Sequence, residues 1–259
     1  MRRLILEEPY SQAAIWSRRL GVFALAVAGM AAGLSRVNAV DPPGALAVLG
    51  AALVLACLAG LLSATAFVVI WRTGRRGAGL AFIGLMLALL LLAYPAFLSW
   101  QAISLPILND VSTDLERPPT FLRSTKGLDA RAGRTPPDSS PETREAQKRA
   151  YPKVQPILVD LEAGEAYKLA LQVAKARGWR IVDAVAPSVR EEGVGHINAI
   201  ERSLVMGFPA DIAIRVEPFA TQTRIDVRSV SRVGRHDFGA NARRIEKFAA
   251  EIEDLAQEK

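Results

Sequence analysis

Two stretches of this 259-residue chain carry no charge at all, Gly44 to Trp71 and Gly77 to Asn109. Each is longer than the ~20 apolar residues that cross a bilayer as a helix. The segment from Leu20 to Leu34 is shorter but also uncharged, and Ala13–Trp16 and Val37–Val40 extend it. Three transmembrane helices are expected, near residues 17–38, 45–71 and 78–100. Arg18-Arg19 ahead of the first segment, and small residues (Ala31, Ala32, Gly33, Ala39) at and beyond its end, also suit a cleavable signal peptide. The two hydrophobic spans that follow closely favour an anchor instead.

A net charge of +6 suggests a nucleic-acid binder until it is divided along the chain. Eight of the 32 Lys/Arg and three of the 26 Asp/Glu precede residue 110, which leaves 24 bases against 23 acids from there onward. The excess belongs to the apolar part, and nucleic acid is not an expected partner. Arg2, Arg3, Arg18 and Arg19 precede the first span, and Arg72, Arg75 and Arg76 separate the second from the third. Arg36 alone lies between the first two, and no Lys/Arg occurs between Trp100 and Arg117. Cytoplasmic loops carry the excess of bases, so the amino terminus is expected in the cytoplasm and the carboxy-terminal part in the periplasm of a bacterial inner membrane. The one cysteine, Cys57, lies in the second span, so the outer part forms no disulfide of its own.

Gly29 and Gly33 form a G-x-x-x-G pair, and Ala52, Ala56, Gly60 and Ala64 a small-residue stripe. Either could make a dimer contact; packing within the bundle is the simpler expectation, because such motifs specify partners loosely. No ionisable group lies deep in the two long spans, which argues against an ion or proton path.

Residues 1–102 thus read as the anchor. Residues 103–156 are rich in proline (Pro106, Pro118, Pro119, Pro136, Pro137, Pro141, Pro152, Pro156) and form no continuous helix, packing on the outer domain or tethering it. Ser140-Pro141-Glu142 supplies the start of a short helix to about Arg149. Residues 157–259 carry an α+β pattern. Strands are predicted at 157–160, 179–185, 194–204, 210–217 and 223–231, and helices at 163–177 and 238–256. Asp237 is the expected cap of the last helix. Ile212, Ile214 and Val216 alternate with Asp211, Ala213, Arg215 and Glu217, and Ile225 and Val227 alternate with Arg224, Asp226 and Arg228. That describes an antiparallel sheet of four to five strands with one wet face and two helices covering the other. Glu191-Glu192-Gly193 reads as a solvated hairpin turn.

The stretch Ser229-Val-Ser231-Arg232-Val-Gly234-Arg-His-Asp237-Phe-Gly239-Ala-Asn241-Ala-Arg-Arg244-Ile245 resembles the signature of the domain of unknown function 1499 family. Asn109-Asp110-Val-Ser-Thr113-Asp114 with Pro118-Pro119 is similar to its opening motif, and Gly207-Phe208 with Asp211 to its middle. The resemblance covers roughly residues 103–256. It implies that residues 109–119 belong to the folded domain, and it implies no activity.

Physically, the helix start after Gly234 offers free N–H groups to an anion. A small or lipidic anion could sit against Ser229, Ser231, Arg232 and Arg235, with Asn241 and Arg244 three apart on one helical face. The plainer alternative is that these residues tie the turn to the sheet through caps and Arg–Asp pairs, with Asp110, Asp114, Asp211, Gly234, Asp237 and Gly239 in supporting roles. His236 beside Asp237 and near Ser231 invites a hydrolase or transferase reading, but a triad is defined by geometry and not by adjacency. No spacing suggests zinc and no glycine-rich phosphate loop occurs, so no cofactor is expected. The expected function is an uncharacterised inner-membrane protein whose periplasmic module binds a small or lipidic anion or an envelope partner, in contact with the lipid bilayer.

Overall fold

The structure, a computed structural model, describes residues 8–188 and 193–258. Glu191 and Glu192 of the expected hairpin turn lie outside the described residues, as do Arg2 and Arg3. The chain divides into two compact units, Met1–Trp100 with Val205–Gly207, and Gln101–Leu204 with Phe208–Lys259.

The first unit is built from α1 (Gln12–Arg36), α2 (Pro42–Thr73) and most of α3 (Ala78–Ser104), three helices long and apolar enough to cross a membrane. The buried positions of α1 are all small (Ala14, Ser17, Gly21, Ala24, Ala28, Ala31, Ser35) and recur at alternating steps of three and four. Those of α2 follow the same beat: Ala45, Ala52, Ala56, Ala59, Ser63 and Ala66. A heptad seam of alanines lets two backbones approach closely, which is how apolar helices associate without a hydrophobic drive between them. Ser63 Oγ ties the seam to α3 by donating to the Ala81 carbonyl (2.7 Å). Gly29 and Gly33 take no part, contrary to the expected bundle packing, since a methyl group added at either would meet nothing within 4 Å.

Among the described residues the second unit contains six strands instead of the expected four to five: β1 (Asp110–Ser112), β2 (Ile157–Val159), β3 (Arg180–Val185), β4 (Gly195–Arg202), β5 (Pro209–Phe219) and β6 (Gln222–Ser231). All pairs are antiparallel in the order β1-β6-β5-β4-β3, and β2 also pairs β6. β1 meets Arg228–Val230 and β2 meets Thr223–Ile225, so the two short strands lie in tandem along one edge of β6. The Pro-rich segment, which also carries the short helix α4 (Thr125–Ala130), supplies the unforeseen strand β1. It lacks an alternating pattern, and the side-chain amide of Gln147 in α5 (Pro141–Ala150) bonds it on the free side as a strand would, donating to the Ser112 carbonyl (2.7 Å) and accepting from its N–H (3.1 Å).

One buried apolar cluster joins Ala166, Tyr167, Leu169, Ala170 and Val173 of α6 (Ala163–Ala176), Ala242, Ile245, Phe248 and Ile252 of α7 (Ala240–Gln257), and Ile197, Ile212, Ile214, Ile225 and Val227 of the sheet. Gly178 closes α6 at φ 75°, a backbone glycine adopts without strain, and the Trp179 N–H returns to the Ala174 carbonyl. Trp179 then stacks on Phe248 of α7 at 5.2 Å.

The opposite sheet face is not wet. Asp211, Ala213, Asp226 and Arg228, which alternation turned toward solvent, are all at most 4% exposed. Part of this face is apolar, with Phe121 of the Pro-rich segment packed on Ala213 and Val230. Much of the rest is a set of paired charges, to which the same segment adds Asp110 and Asp114.

Candidate functional site

The register that pairs Arg215 with Asp226 and Glu217 with Arg224 across β5 and β6 sets the first cluster. Arg215 Nη2 donates to Asp226 Oδ2 (2.7 Å) and to Asp114 Oδ2 (3.0 Å). Arg224 reaches the same two carboxylates (2.8 Å to Asp114, 2.9 Å to Asp226), and Thr113 Oγ1 donates to Asp226 Oδ1 (3.0 Å). Asp114 is held from behind by the N–H groups of Glu116 and Arg117. Burial alone would raise its carboxyl, but the Arg117 amide, Arg224 and Arg215 together hold it below the ordinary 3.8. Burial pulls Arg215 downward, and Asp226, Glu217 and Asp114 together more than reverse this.

Two further clamps follow along β6. Arg228 forks onto both oxygens of Asp110 (3.0 and 2.7 Å), donates to the Pro137 carbonyl and lies over the Phe121 ring. Arg232, just past the strand, forks onto Asp211 (2.8 and 2.6 Å) and donates to the Ala130 carbonyl. Bidentate pairs of this kind are the strong, directional form of the charge-assisted hydrogen bond. The Arg228–Asp110 fork, with the bonds from Arg228 and Arg232 to the Pro137 and Ala130 carbonyls, fastens residues 110–137 to the sheet.

The turn that follows is equally closed. Ser229 lies on the α7 side, as its parity with Val227 requires; its hydroxyl donates to Asn241 Oδ1 (2.9 Å) and accepts from Arg244 (2.8 Å). Asn241 Nδ2 donates to the Asn109 carbonyl and to Ser231 Oγ (3.0 Å each), and Arg244 pairs with Glu201 of β4. Asp237 caps α7 from farther out than expected. The helix begins at Ala240 and not at Phe238, because the chain turns through positive φ at Phe238 (53°) and Gly239 (72°), and the Asp237 carboxylate spans this turn by accepting from the N–H groups of Gly239 and Asn241. A side chain at Gly239 would also press on Leu105 and the Tyr151 hydroxyl. Gly234, at φ 82°, offers its carbonyl to Asn109.

Of the candidate binding residues, Ser229, Ser231, Arg232, Asn241 and Arg244 therefore meet one another or internal acids, while Arg235 is exposed. Asp110, Asp114 and Asp211 serve as the acidic halves of the three clamps. His236 is not joined to Ser231 or Asp237; its Nδ1 accepts from the Phe238 N–H (3.0 Å) and its ring stacks on Phe238.

Solvent reaches this polar layer elsewhere. A groove of about 610 Å³ runs between residues 113–117 and the end of α5 with the 152–156 segment, over Arg224. Arg117, Lys148 and Arg224 line it against Asp114 and Glu116, beside an apolar wall of Leu115, Tyr151, Val154 and Pro156. The Tyr151 hydroxyl is buried without a hydrogen bond, and burial, with Asp237 adding, pushes it up to about 12. None of Arg117, Lys148, Tyr151 or Arg224 stands out in the sequence, because the groove joins segments about 110 residues apart.

A family model described as "Protein of unknown function (DUF1499)" matches residues 110–252, more than half of the chain. The chain belongs to this family. The matched region opens at Asp110, the residue clamped by Arg228, and closes at Ile252 in the buried stripe of α7. The family's region thus takes in most of the Pro-rich segment along with the sheet. No curated protein matches the chain.

Proposed function

We propose that the chain is a bacterial inner-membrane protein, anchored by residues 1–102, with a cytoplasmic amino terminus and a periplasmic binding module. In this reading α6 and α7 cover one face of the sheet and residues 103–156 cover the other. The bias of Arg18, Arg19, Arg72, Arg75 and Arg76 toward one side of the spans supports the orientation. A phosphatase reporter fused after Lys259 is expected to be active and one fused at Arg75 silent; the reverse pattern refutes the assignment.

The module's ligand is a small amphiphilic anion, a carboxylate or phosphate on an apolar body, or such a group on an envelope partner. The observation that carries this is the groove over Arg224, where three bases against two acids stand beside an apolar wall and open to solvent. The hydrolase or transferase reading of the 228–244 turn draws no support, since the Ser229 hydroxyl is fully buried and bonded to Asn241 and Arg244. The test is identification by mass spectrometry of small molecules that copurify with the full chain. An amphiphilic anion is expected with the natural protein and with Arg235→Ala, and is expected to be lost when Arg117→Ala and Lys148→Ala are combined. Equal retention by all three proteins overturns the groove.

A further inference from the structure

The turn between β4 and β5 runs Ser203-Leu204-Val205-Met206-Gly207-Phe208 and carries no charge. Turns that face water are built mostly from Gly, Pro, Asn, Asp and Ser, yet here Leu204 is 86% exposed and Val205 42%. The turn is well ordered all the same. The Ser203 N–H donates to the Phe208 carbonyl and the Phe208 N–H to the Ser203 hydroxyl, both at 2.9 Å. Its tip, Val205–Gly207, belongs to the helical unit. There the Met206 carbonyl accepts from the Ser35 hydroxyl in the last turn of α1 (2.7 Å). Gly207, at φ 68°, lies so close to α1 that a Cβ on it would fall 3.2 Å from the Arg36 Cα. The buried half of the turn, Met206 and Gly207, is thus fitted to the helix end, and Leu204 and Val205 are left outside.

Arg36 ends a helix long and apolar enough to cross a membrane, so the contact sets the tip at the depth where that helix leaves the hydrocarbon. We propose that Leu204 and Val205 insert into the headgroup region of the bilayer beside the end of α1, making the β4–β5 turn a second membrane contact of the chain. The inference rests on the membrane reading of α1. Exposed aliphatic side chains gain by leaving water, and an interfacial site only roughly 5–10 Å deep is enough to cover them. Lipid is the occupant because the apolar surface of the turn continues that of the helix end, where Leu34 and Val37 are exposed as well. Topology agrees. With three spans, α1 and α3 end on the same side of the bilayer, and the turn follows α3 in the chain.

Nitroxide labels test this in the full chain, on a Cys57→Ser background, reconstituted in vesicles of phosphatidylethanolamine and phosphatidylglycerol. Leu204→Cys, Val205→Cys, Val22→Cys and Phe219→Cys carry one label each. Val22 is an exposed residue of α1, and Phe219 is equally apolar and exposed but stands at the other end of β5. Oxygen concentrates in lipid and a nickel chelate stays in water, so the ratio of their collision rates with the label reports depth. The ratio at residues 204 and 205 is expected to exceed that at 219 several-fold and to fall below that at 22. A ratio at both turn positions as low as at 219, with 22 high, overturns the proposal and leaves the membrane reading standing. A low ratio at 22 overturns the membrane reading and the proposal with it. Slow collision of both reagents at 204 and 205, the mark of a protein neighbour, overturns the lipid assignment in favour of a second copy of the chain.

Discussion

Asp226→Ala is expected to destabilise the sheet unit by roughly 3–5 kcal/mol, the cost of stripping one partner from a buried ion cluster. The Asp226 side chain is fully buried, with Arg215 Nη2 at 2.7 Å, Arg224 Nε at 2.9 Å and Thr113 Oγ1 at 3.0 Å. Without it, Asp114, helped only by Glu217 at 3.5 Å from Arg215, must answer two guanidinium groups that are themselves mostly buried. A well-packed apolar replacement of the whole cluster need not be destabilising; it is the stranded charge that is costly. Opening free energies from hydrogen exchange at the β5 and β6 amides measure the loss. A change under about 1 kcal/mol, the range of exposed pairs, shows that water already screens the cluster and sinks the account.

Arg232→Ala is expected to have an effect of the same order, while its near neighbour Arg235→Ala stays within roughly ±0.5 kcal/mol. The two differ in one respect that matters. Arg232 is forked onto the buried Asp211, whereas Arg235 stands in solvent. The comparison also separates two meanings of the arginine-rich turn. If it is a joint, thermal unfolding of the full chain shifts for Arg232→Ala alone. Were it an open anion site, both changes would leave stability near its natural value.

The sequence made the local features visible and hid the long-range ones, for a physical reason. Charge-free runs and the alternation along β5 and β6 are written in consecutive residues, so three spans and the central hairpins could be read directly. The wet face could not be read correctly. Arg215, Arg224 and Arg228 look like solvated positions unless it is known that Asp114 and Asp110 arrive to meet them, and no local pattern announces that. β1 was hidden likewise, being three residues stitched in place by Gln147 of a distant helix. At the turn, the residue types were informative and their use was not: Ser229, Asn241 and Arg244 suit a ligand as well as they suit one another, and only coordinates show that they chose one another. The small-residue seam of α1 was legible in principle, since Ala14, Ser17, Gly21, Ala24, Ala28, Ala31 and Ser35 keep a strict heptad; the G-x-x-x-G pair drew attention from it.

The pairing of β1 with β6 has a consequence for how the chain reaches this structure. Asp110 aligns with Val230, some 120 residues later, while β5 and β6 are joined by a turn of two residues. Closing the larger loop costs more chain entropy than closing the hairpin, growing as (3/2)RT ln n, and its return comes only once the ion pairs form. The β4–β5–β6 meander is therefore the natural early nucleus, with the Pro-rich segment a late addition. During synthesis that segment emerges before the meander and waits, its carboxylates unpaired, until β6 has been made. Nascent chains stopped short of β6 should hold residues 103–140 as accessible to protease as an unfolded peptide, and release of the complete chain should protect them in a single step.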